Sequence, residues 1–165
     1  MAYLQIKTYP DPILRKVCEP IESISGETVI LCNNMVETMR LAQGAGLAAN
    51  QVGVSSRLVV LDPRTKKESK PIILINPLIS EKDSEEISEE GCLSFPKFYE
   101  YIKRAKKVLV KAINLQGEPF EMECDGFLAR AVQHELDHLN GVLLIDHLSP
   151  VKKDLFKKKY MKDRK

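Results

Sequence analysis

The pattern of apolar and polar positions predicts a first helix over residues 25–42. Its apolar side chains recur roughly at helical spacing and are Val29, Cys32, Val36, Met39 and Leu41. Gly44 supplies a stop signal after this helix, and Pro10-Asp11-Pro12 marks a turn before it. Residues 44–51 are too small and too rich in glycine for a helix, so we expect a loop or an extended segment there.

Strand patterns follow in the middle of the chain. Short apolar runs at residues 58–61 and 72–75, with polar turn material between them, predict two strands. The run VLVKAINLQGEPFEMEC at 108–124 alternates apolar and polar residues around Gln116-Gly117-Glu118, which predicts a hairpin.

Two further helices are predicted near the end of the chain. Residues 127–139 form one, and Ser149-Pro150 has the cap and first-turn proline of another. The apolar face of this last helix would be Val151, Leu155, Phe156 and Tyr160. Helices and strands mix without a regular βαβ rhythm, so the class is α+β. We expect one domain over residues 1–165, with mainly antiparallel strands around the 127–139 helix and a C-terminal helix.

Composition narrows the class of protein. The 165 residues are 44% hydrophobic, contain no apolar run of membrane-spanning length, and begin without a signal-peptide pattern, so we expect a soluble intracellular protein without a membrane partner. The net charge of +2 excludes a global nucleic-acid-binding field. Residues 151–165, however, carry seven Lys and one Arg against two Asp, a net +6. This basic tail is either the solvated face of a packing helix or a docking element.

The chemistry is concentrated in the sequence HELDH at residues 134–138. Residues four apart project from one helix face, so His134 and His138 can bind one metal ion, while Glu135 can act on a water that the ion holds. A metal lowers the pKa of its water toward ~7, and a carboxylate can then collect the proton. The motif therefore predicts metal-assisted hydrolysis.

The third ligand must come from upstream. The metalloprotease pattern HExxHxxGxxH fails because Leu144 stands at its last position and His147 comes three residues later, and no glutamate follows residue 138. Of the four cysteines, which form no CxxC pair and fit a reducing compartment, Cys92 is the best candidate and Cys124 is its rival. Cys18 and Cys32 are interpreted as small buried residues.

Three separated motifs resemble those of the peptide deformylase family. GAGLAANQ at 44–51 resembles GxGLAAxQ, EGCLS at 90–94 matches the second motif, and QHELDHLNG at 133–141 matches QHExDHLxG. The resemblance implies removal of formate from the N-formylmethionine of new polypeptides, in a bacterial cytoplasm or an organellar matrix. It also implies ferrous iron as the usual ion, although the ligand types suit zinc, nickel or cobalt as well.

The resemblance also assigns roles to individual residues. Cys92, His134 and His138 would hold the metal, and Glu135 would be the general acid/base. Gln51 and the backbone N–H of Leu93 would donate hydrogen bonds to the formyl oxygen as it becomes anionic.

The resemblance also predicts a substrate-binding region. Gly44 and Gly46 would leave room for a substrate backbone, with Ala45 in place of a commoner bulky residue. Phe127 and Ala131 share a helix face with His134 and suit a methionine side chain. Arg130 lies on the same face but does not suit that side chain unless its guanidinium extends to the rim of the pocket. Many members carry an arginine shortly after the second motif, where this chain has FPKFY at 95–99, ending in Tyr99.

The sequence leaves open the roles of several charged residues and two alternative functions. Glu90 and Arg104 are either an ion pair or separately solvated, Asp137 either orients a ligand histidine or is solvated, and His147 is structural or exposed. A metallopeptidase is the competing enzyme, and a structural zinc site is the non-enzymatic alternative. A basic tail of this kind is also compatible with docking on the ribosome.

Overall fold

The computed structural model describes residues 3–64 and 70–163, with side chains described up to residue 160. The last two residues of the basic tail and the Lys162 side chain therefore lie outside the described part. Three α-helices and seven strands are assigned: α1 Gly26–Leu41, β1 Gly46–Ala48, β2 Leu58–Leu61, β3 Ile72–Asp83, β4 Glu86–Cys92, β5 Phe95–Arg104, β6 Lys107–Ile113, β7 Pro119–Asp125, α2 Phe127–Leu139 and α3 Pro150–Asp163.

All strand pairs in the two sheets are antiparallel. Five strands form one sheet in the order β1-β2-β3-β6-β7, and β4 and β5 form a separate pair. Helix α2 packs on the larger sheet through Ala129, Val132 and Leu136. This arrangement confirms the predicted α+β class with mainly antiparallel strands around α2.

The β6–β7 hairpin forms as its alternation predicts. Val108, Val110 and Ala112 are buried, and the turn closes when the Asn114 amide donates to the Glu118 carbonyl. The 72–75 prediction was too short, because β3 continues through irregular pairing to Asp83. The β4–β5 pair was not predicted, since β4 is mostly polar and Pro96 interrupts the strand pattern of β5.

The apolar stripe predicted for α1 is partly wrong. Ser25 caps the helix, and Cys32, Met39 and the intervening Met35 are buried. Val29 and Leu41 are exposed. Leu41 follows Met39 by two positions, which is about 200° around a helix and therefore on the opposite face.

Helix α3 begins where the sequence predicts, but it packs through half of the expected face. The Lys152 amide donates to Ser149 Oγ at 3.3 Å, and Phe156 and Tyr160 stack at 4.8 Å between ring centroids. Val151 and Leu155 are 70% and 60% exposed, so their assignment to the packing face was wrong. The aromatic pair lies against two rings near the site, Tyr9 and Phe95.

The short connecting segments also matter for the site. Asp11 caps a 3-10 helix at Pro12–Arg15 by accepting from the Ile13 amide, in the region where a turn is predicted. The 44–51 segment is extended over β1 and then forms a 3-10 helix at Ala49–Val52. None of the helices in the described residues has the length and hydropathy needed to span a bilayer.

Candidate metal centre and active site

Helix α2 and the end of β4 bring three potential ligands together. His134 and His138 lie one helical turn apart, with ring centroids 5.1 Å from each other. Cys92 Sγ lies 3.3 Å from His138 Nε2. One ligand atom from each of the three residues falls within 4.8 Å of the others. Cys124 and Cys18 are buried in the core between α2 and the larger sheet, and Cys32 is buried in the core beside α1. All four thiols are free.

The electrostatic environments of the two histidines differ. Burial lowers the pKa of His134, but the neighbouring Cys92 thiol and Glu135 carboxylate outweigh it and hold the pKa well above its usual value. Burial and the charge of His134 keep the pKa of His138 well below its usual value, so that ring is neutral and able to ligate. Soft sulfur and imidazole nitrogen are ligands that iron, zinc, nickel and cobalt accept, so the residues present fit a divalent transition metal.

Glu135 lies beside this group without being part of it. The side chain is buried, and its Oε1 has no hydrogen-bond partner among the described residues. Burial raises the pKa of Glu135 to about 7. A Cβ atom at Gly46 would lie 2.8 Å from Glu135 Oε2, so a glycine is required for β1 to approach the carboxylate. Gly46 therefore makes room for Glu135, in addition to any room for a substrate.

A buried carboxylate, Glu90, orients His134. His134 Nδ1 donates to Glu90 Oε1 at 3.0 Å, which leaves Nε2 as the nitrogen available to a metal. Arg104 donates to both oxygens of Glu90, at 2.9 and 3.0 Å, so the proposed ion pair is present. Burial raises the pKa of Glu90, but hydrogen bonds from His134 and Arg104 reverse this and hold it far below its usual value.

The condition set for Arg130, a guanidinium that reaches the rim of the pocket, is not met. Its guanidinium is buried and donates to Glu90 Oε2 and to the carbonyls of Ile102 and Glu86, both at 2.9 Å, and does not extend to the rim. Helical periodicity placed Arg130 on the correct face but gave no information on its partner. A buried arginine requires a carboxylate, and Glu90 in the EGCLS motif was the available signal.

Asp137 forms ion pairs; it does not hydrogen-bond to a candidate ligand histidine, and it is not simply solvated. Its carboxylate accepts from Arg104 at 2.6 Å and from His147 Nε2 at 2.9 Å, and neither of these is a candidate ligand. His147 is therefore a structural residue that is also partly exposed. Asp137 holds Arg104, the partner of Glu90, and its charge also acts on two pKa values: it adds to the rise that burial causes at Glu135 and partly offsets the fall that burial causes at His138.

Gln51 is held by its neighbours at the edge of the site. Its Oε1 accepts from the Ala48 amide at 2.9 Å, and this fixes Nε2 at 3.1 Å from Ser94 Oγ and 3.8 Å from Cys92 Sγ. Ser94, fully buried, was not identified from sequence although it lies within EGCLS. Leu93 follows Cys92 in the turn between β4 and β5.

Gln51, Cys92, Leu93, His134 and Glu135 line one open cavity of about 820 Å³. The free edges of β1 and β4 border it, because β1 ends the larger sheet and β4 pairs only with β5. Ala131 lines its interior, whereas Phe127 is 52% exposed. The predicted segment of Gly44, Ala45 and Gly46 lines it from the β1 side, where a Cβ at Gly44 would lie 2.7 Å from the Leu93 side chain.

Comparison with known proteins agrees with this geometry. The sequence model of the family described as polypeptide deformylase matches residues 3–154. The peptide deformylase of Thermodesulfovibrio yellowstonii is 52% identical over 162 residues, which cover 97% of this chain and 98% of that protein. The crystal structure of a peptide deformylase from Legionella pneumophila has a TM-score of 0.89 and 43% identity, with 99% of each chain covered. The Ehrlichia chaffeensis enzyme in complex with actinonin has a TM-score of 0.91 and 36% identity, with 99% and 98% covered.

The fold and the relatives together define a metal-dependent hydrolase. The chain belongs to the polypeptide deformylase family. Its activity is the removal of the formyl group from the N-terminal N-formylmethionine of newly made polypeptides, with release of formate.

The Glu90 cluster gives a testable consequence. Glu90→Gln leaves Arg104 and Arg130 buried beside a neutral amide, so we expect a loss of about 3–5 kcal/mol in the free energy of unfolding. We also expect metal affinity to fall about 10- to 100-fold, because His134 loses its orienting partner. Denaturant titration and competition with a chelator measure the two effects.

Glu89→Gln is the matched control for this prediction. Glu89 is the adjacent, exposed glutamate, so its substitution should leave both quantities unchanged. Because the folded-state pKa of Glu90 is lowered, its stabilising contribution is present above its unfolded pKa of about 4.3 and is lost as pH falls below that value. A Glu90→Gln protein with wild-type stability and metal affinity at pH 7 would contradict this role.

Proposed function

We propose that Cys92, His134 and His138 hold the catalytic metal of this deformylase and that Glu135 moves the proton. The observation that carries the proposal is the meeting of the three ligand atoms within 4.8 Å of one another, beside a buried carboxylate at the cavity wall. A bound divalent metal supplies Lewis acidity, which activates water at neutral pH and polarises the formyl carbonyl. The remaining steps belong to the side chains around it.

Glu135 is the general base and then the general acid of the proposed mechanism. With a pKa of about 7, its carboxyl group accepts a proton from the attacking water and delivers it to the leaving amine. Its Oε1 atom, which has no hydrogen-bond partner in the part of the chain that the structure describes, supplies the acceptor. The short distance permitted by Gly46 fixes the carboxylate between β1 and α2.

Gln51 and Leu93 stabilise the oxygen of the formyl group in this proposal. The Gln51 amide is held through its Oε1, so Nε2 can keep one hydrogen on Ser94 Oγ and donate the other, now directed at Cys92 Sγ, to the formyl oxygen. The Leu93 backbone N–H is the second donor. Both are neutral and add no titrating group, and one such donor typically lowers the barrier by ~3–4 kcal/mol.

The substrate backbone would lie as an added strand between the free edges of β1 and β4. Gly44, Ala45 and Gly46 border it on one side and the Gly91–Cys92 end of β4 on the other. The methionine side chain would enter the pocket beside Ala131, with Phe127 at the mouth. The aliphatic part of Arg130 can line this pocket while its guanidinium remains with Glu90.

Replacing Glu135 separates proton transfer from metal binding. Glu135→Gln keeps the side-chain shape and removes no ligand, so we expect near-native metal content and a kcat lower by about two to four powers of ten. Formate release from formyl-Met-Ala-Ser, measured beside metal analysis of the same sample, tests this. Near-normal turnover by the metal-replete variant would refute the assigned role.

We propose ferrous iron as the physiological ion, with zinc, nickel or cobalt able to replace it. One thiolate and two imidazoles suit all four ions, and the half-buried Cys92 thiol is open to oxidation. Protein purified in air should therefore lose activity, whereas nickel-substituted protein should keep it. Metal analysis with formate-release assays after anaerobic purification measures this, and a fully active, air-stable zinc enzyme would refute iron.

We further propose that the enzyme works in the cytoplasm, or in an organellar matrix, and docks on the ribosome through α3. Phe156 and Tyr160 pack against the body of the protein, which leaves Lys157, Lys158 and Lys159 exposed. A cationic helix face is suited to the phosphates of ribosomal RNA near the emerging substrate.

The docking proposal predicts a charge-specific effect. Changing Lys157, Lys158, Lys159 and Lys162 to Gln should leave peptide turnover intact, weaken co-sedimentation with ribosomes, and reduce its dependence on salt. The control changes four exposed lysines elsewhere, Lys82, Lys106, Lys107 and Lys111. Equal loss in both variants, or no binding by the wild type at low salt, would leave α3 with a packing role alone.

A further inference from the structure

Asn50 is a fully buried polar residue at a position that the first motif leaves open. It occupies the variable place of GxGLAAxQ, and its side chain is 0% exposed. Burying an amide costs free energy unless its hydrogen-bonding groups find partners, so a buried asparagine needs a structural reason. Because the motif does not require asparagine here, the reason lies in the contacts that this chain makes.

The Asn50 side chain links two functional segments that are far apart in sequence. Its Nδ2 donates to the backbone carbonyl of His138 at 2.5 Å. This carbonyl belongs to the last turn of α2, where carbonyl groups have no partner within the helix. On its other side, Asn50 directly precedes Gln51, the proposed donor to the formyl oxygen. One side chain therefore fixes a candidate metal ligand relative to a candidate oxygen donor.

The same two residues also carry two unsatisfied polar atoms. Asn50 Oδ1 and His138 Nδ1 are buried, and neither has a hydrogen-bond partner in the part of the chain that the structure describes. Cys92 Sγ lies 3.3 Å from His138 Nε2, so Nε2 is the ring nitrogen that faces the metal centre. A histidine that ligates through Nε2 carries its hydrogen on Nδ1 and almost always donates it to an acceptor. A donor and an acceptor that match therefore belong to two residues already in contact.

We propose that Asn50 is a positioning residue of the reaction, and that its Oδ1 accepts the Nδ1 hydrogen of His138 in the metal-bound enzyme. This rests on the proposed function, which makes His138 a ligand. Glu90 serves the other ligand histidine, His134, in the same way. Asn50 differs because it also carries the 3-10 helix of Gln51. Loss of its side chain should therefore weaken both metal binding and stabilisation of the formyl oxygen.

Nuclear magnetic resonance of the zinc-loaded wild type tests the contact without any substitution. The chain has three histidines, so the ring signals are few. We expect the Nδ1 hydrogen of His138 to exchange slowly with water and to show a nuclear Overhauser effect to the side-chain amide hydrogens of Asn50. A His138 ring that shifts on zinc addition but shows no such effect overturns this inference alone. A ring that does not respond to zinc overturns its assignment as a ligand, and with it the proposed function.

Asn50→Leu removes both hydrogen-bonding groups while nearly keeping the size of the side chain. We expect zinc affinity, measured by competition with a chelator, to fall about 10- to 100-fold. At saturating zinc, kcat for formyl-Met-Ala-Ser should fall by about 10-fold or more, because Gln51 is displaced from the transition state. KM should change less than twofold, since the lost interaction acts on the transition state and not on the bound substrate.

Asn76→Leu is the matched control, because Asn76 also ties distant segments together through its side chain. Its Nδ2 donates to the Ile21 carbonyl at 2.9 Å and its Oδ1 accepts from the Ile21 amide at 2.8 Å, and neither residue lines the catalytic cavity. This variant should lose stability in a denaturant titration but keep zinc affinity and kcat. Equal losses in both variants, or a folded Asn50→Leu protein with wild-type zinc affinity and kcat, overturn the positioning role. If Asn50→Leu does not fold, the wild-type spectrum decides.

Discussion

One buried carboxylate holds the site together. Glu90 accepts hydrogen bonds from His134 and Arg130 on α2 and from Arg104 on β5. A buried charge is tolerated only when it is paired and its hydrogen bonds are satisfied, so the three donors must converge wherever Glu90 is. Convergence draws the β4–β5 pair onto α2, and this brings Cys92, two residues beyond Glu90, to His138.

The other side of the site depends on a close backbone approach. Strand β1 passes Glu135 at a distance that only glycine permits, and the 3-10 helix that follows places Gln51 against Ser94. The Asn50 side chain also donates to the carbonyl of His138, which ties this helix to the ligand-bearing turn of α2. Three segments distant in sequence therefore meet with their functional atoms inside one cavity. The proposed acid/base, ligands and oxygen donors occupy fixed positions before a substrate enters.

Sequence reasoning succeeded where the signal was local. The alternation at 108–124 and the helical motif around His134 specify structure within their own residues, so the hairpin and α2 were predicted. The β4–β5 pair was not predicted, because β4 is mostly polar, Pro96 interrupts the strand pattern of β5, and the pair is held against α2 by the Glu90 cluster, a tertiary feature. Val151 and Leu155 satisfied an apolar pattern, but the packing surface near Tyr9 and Phe95 accommodates only the aromatic side chains of α3.

The site shows the same limit. Residue types and motif spacing identified the candidate ligands and Glu135, whereas the partners of Arg130 and Asp137 depend on which elements pack together. Periodicity gives the face of a helix on which a residue lies, but it does not give the group opposite. The pairing of Asp137 with Arg104 and His147 crosses three elements of the fold and leaves no pattern along the chain.

The most direct test of this account is the X-ray absorption spectrum of the zinc-loaded protein and of two cysteine variants. For the wild type we predict one sulfur at about 2.3 Å and imidazole nitrogens at about 2.0–2.1 Å. The sulfur contribution should disappear in Cys92→Ser and persist in Cys124→Ser, since Cys124 is buried in the core away from the histidines. A sulfur ligand that persists in Cys92→Ser, or that is lost in Cys124→Ser, would contradict the proposed metal centre.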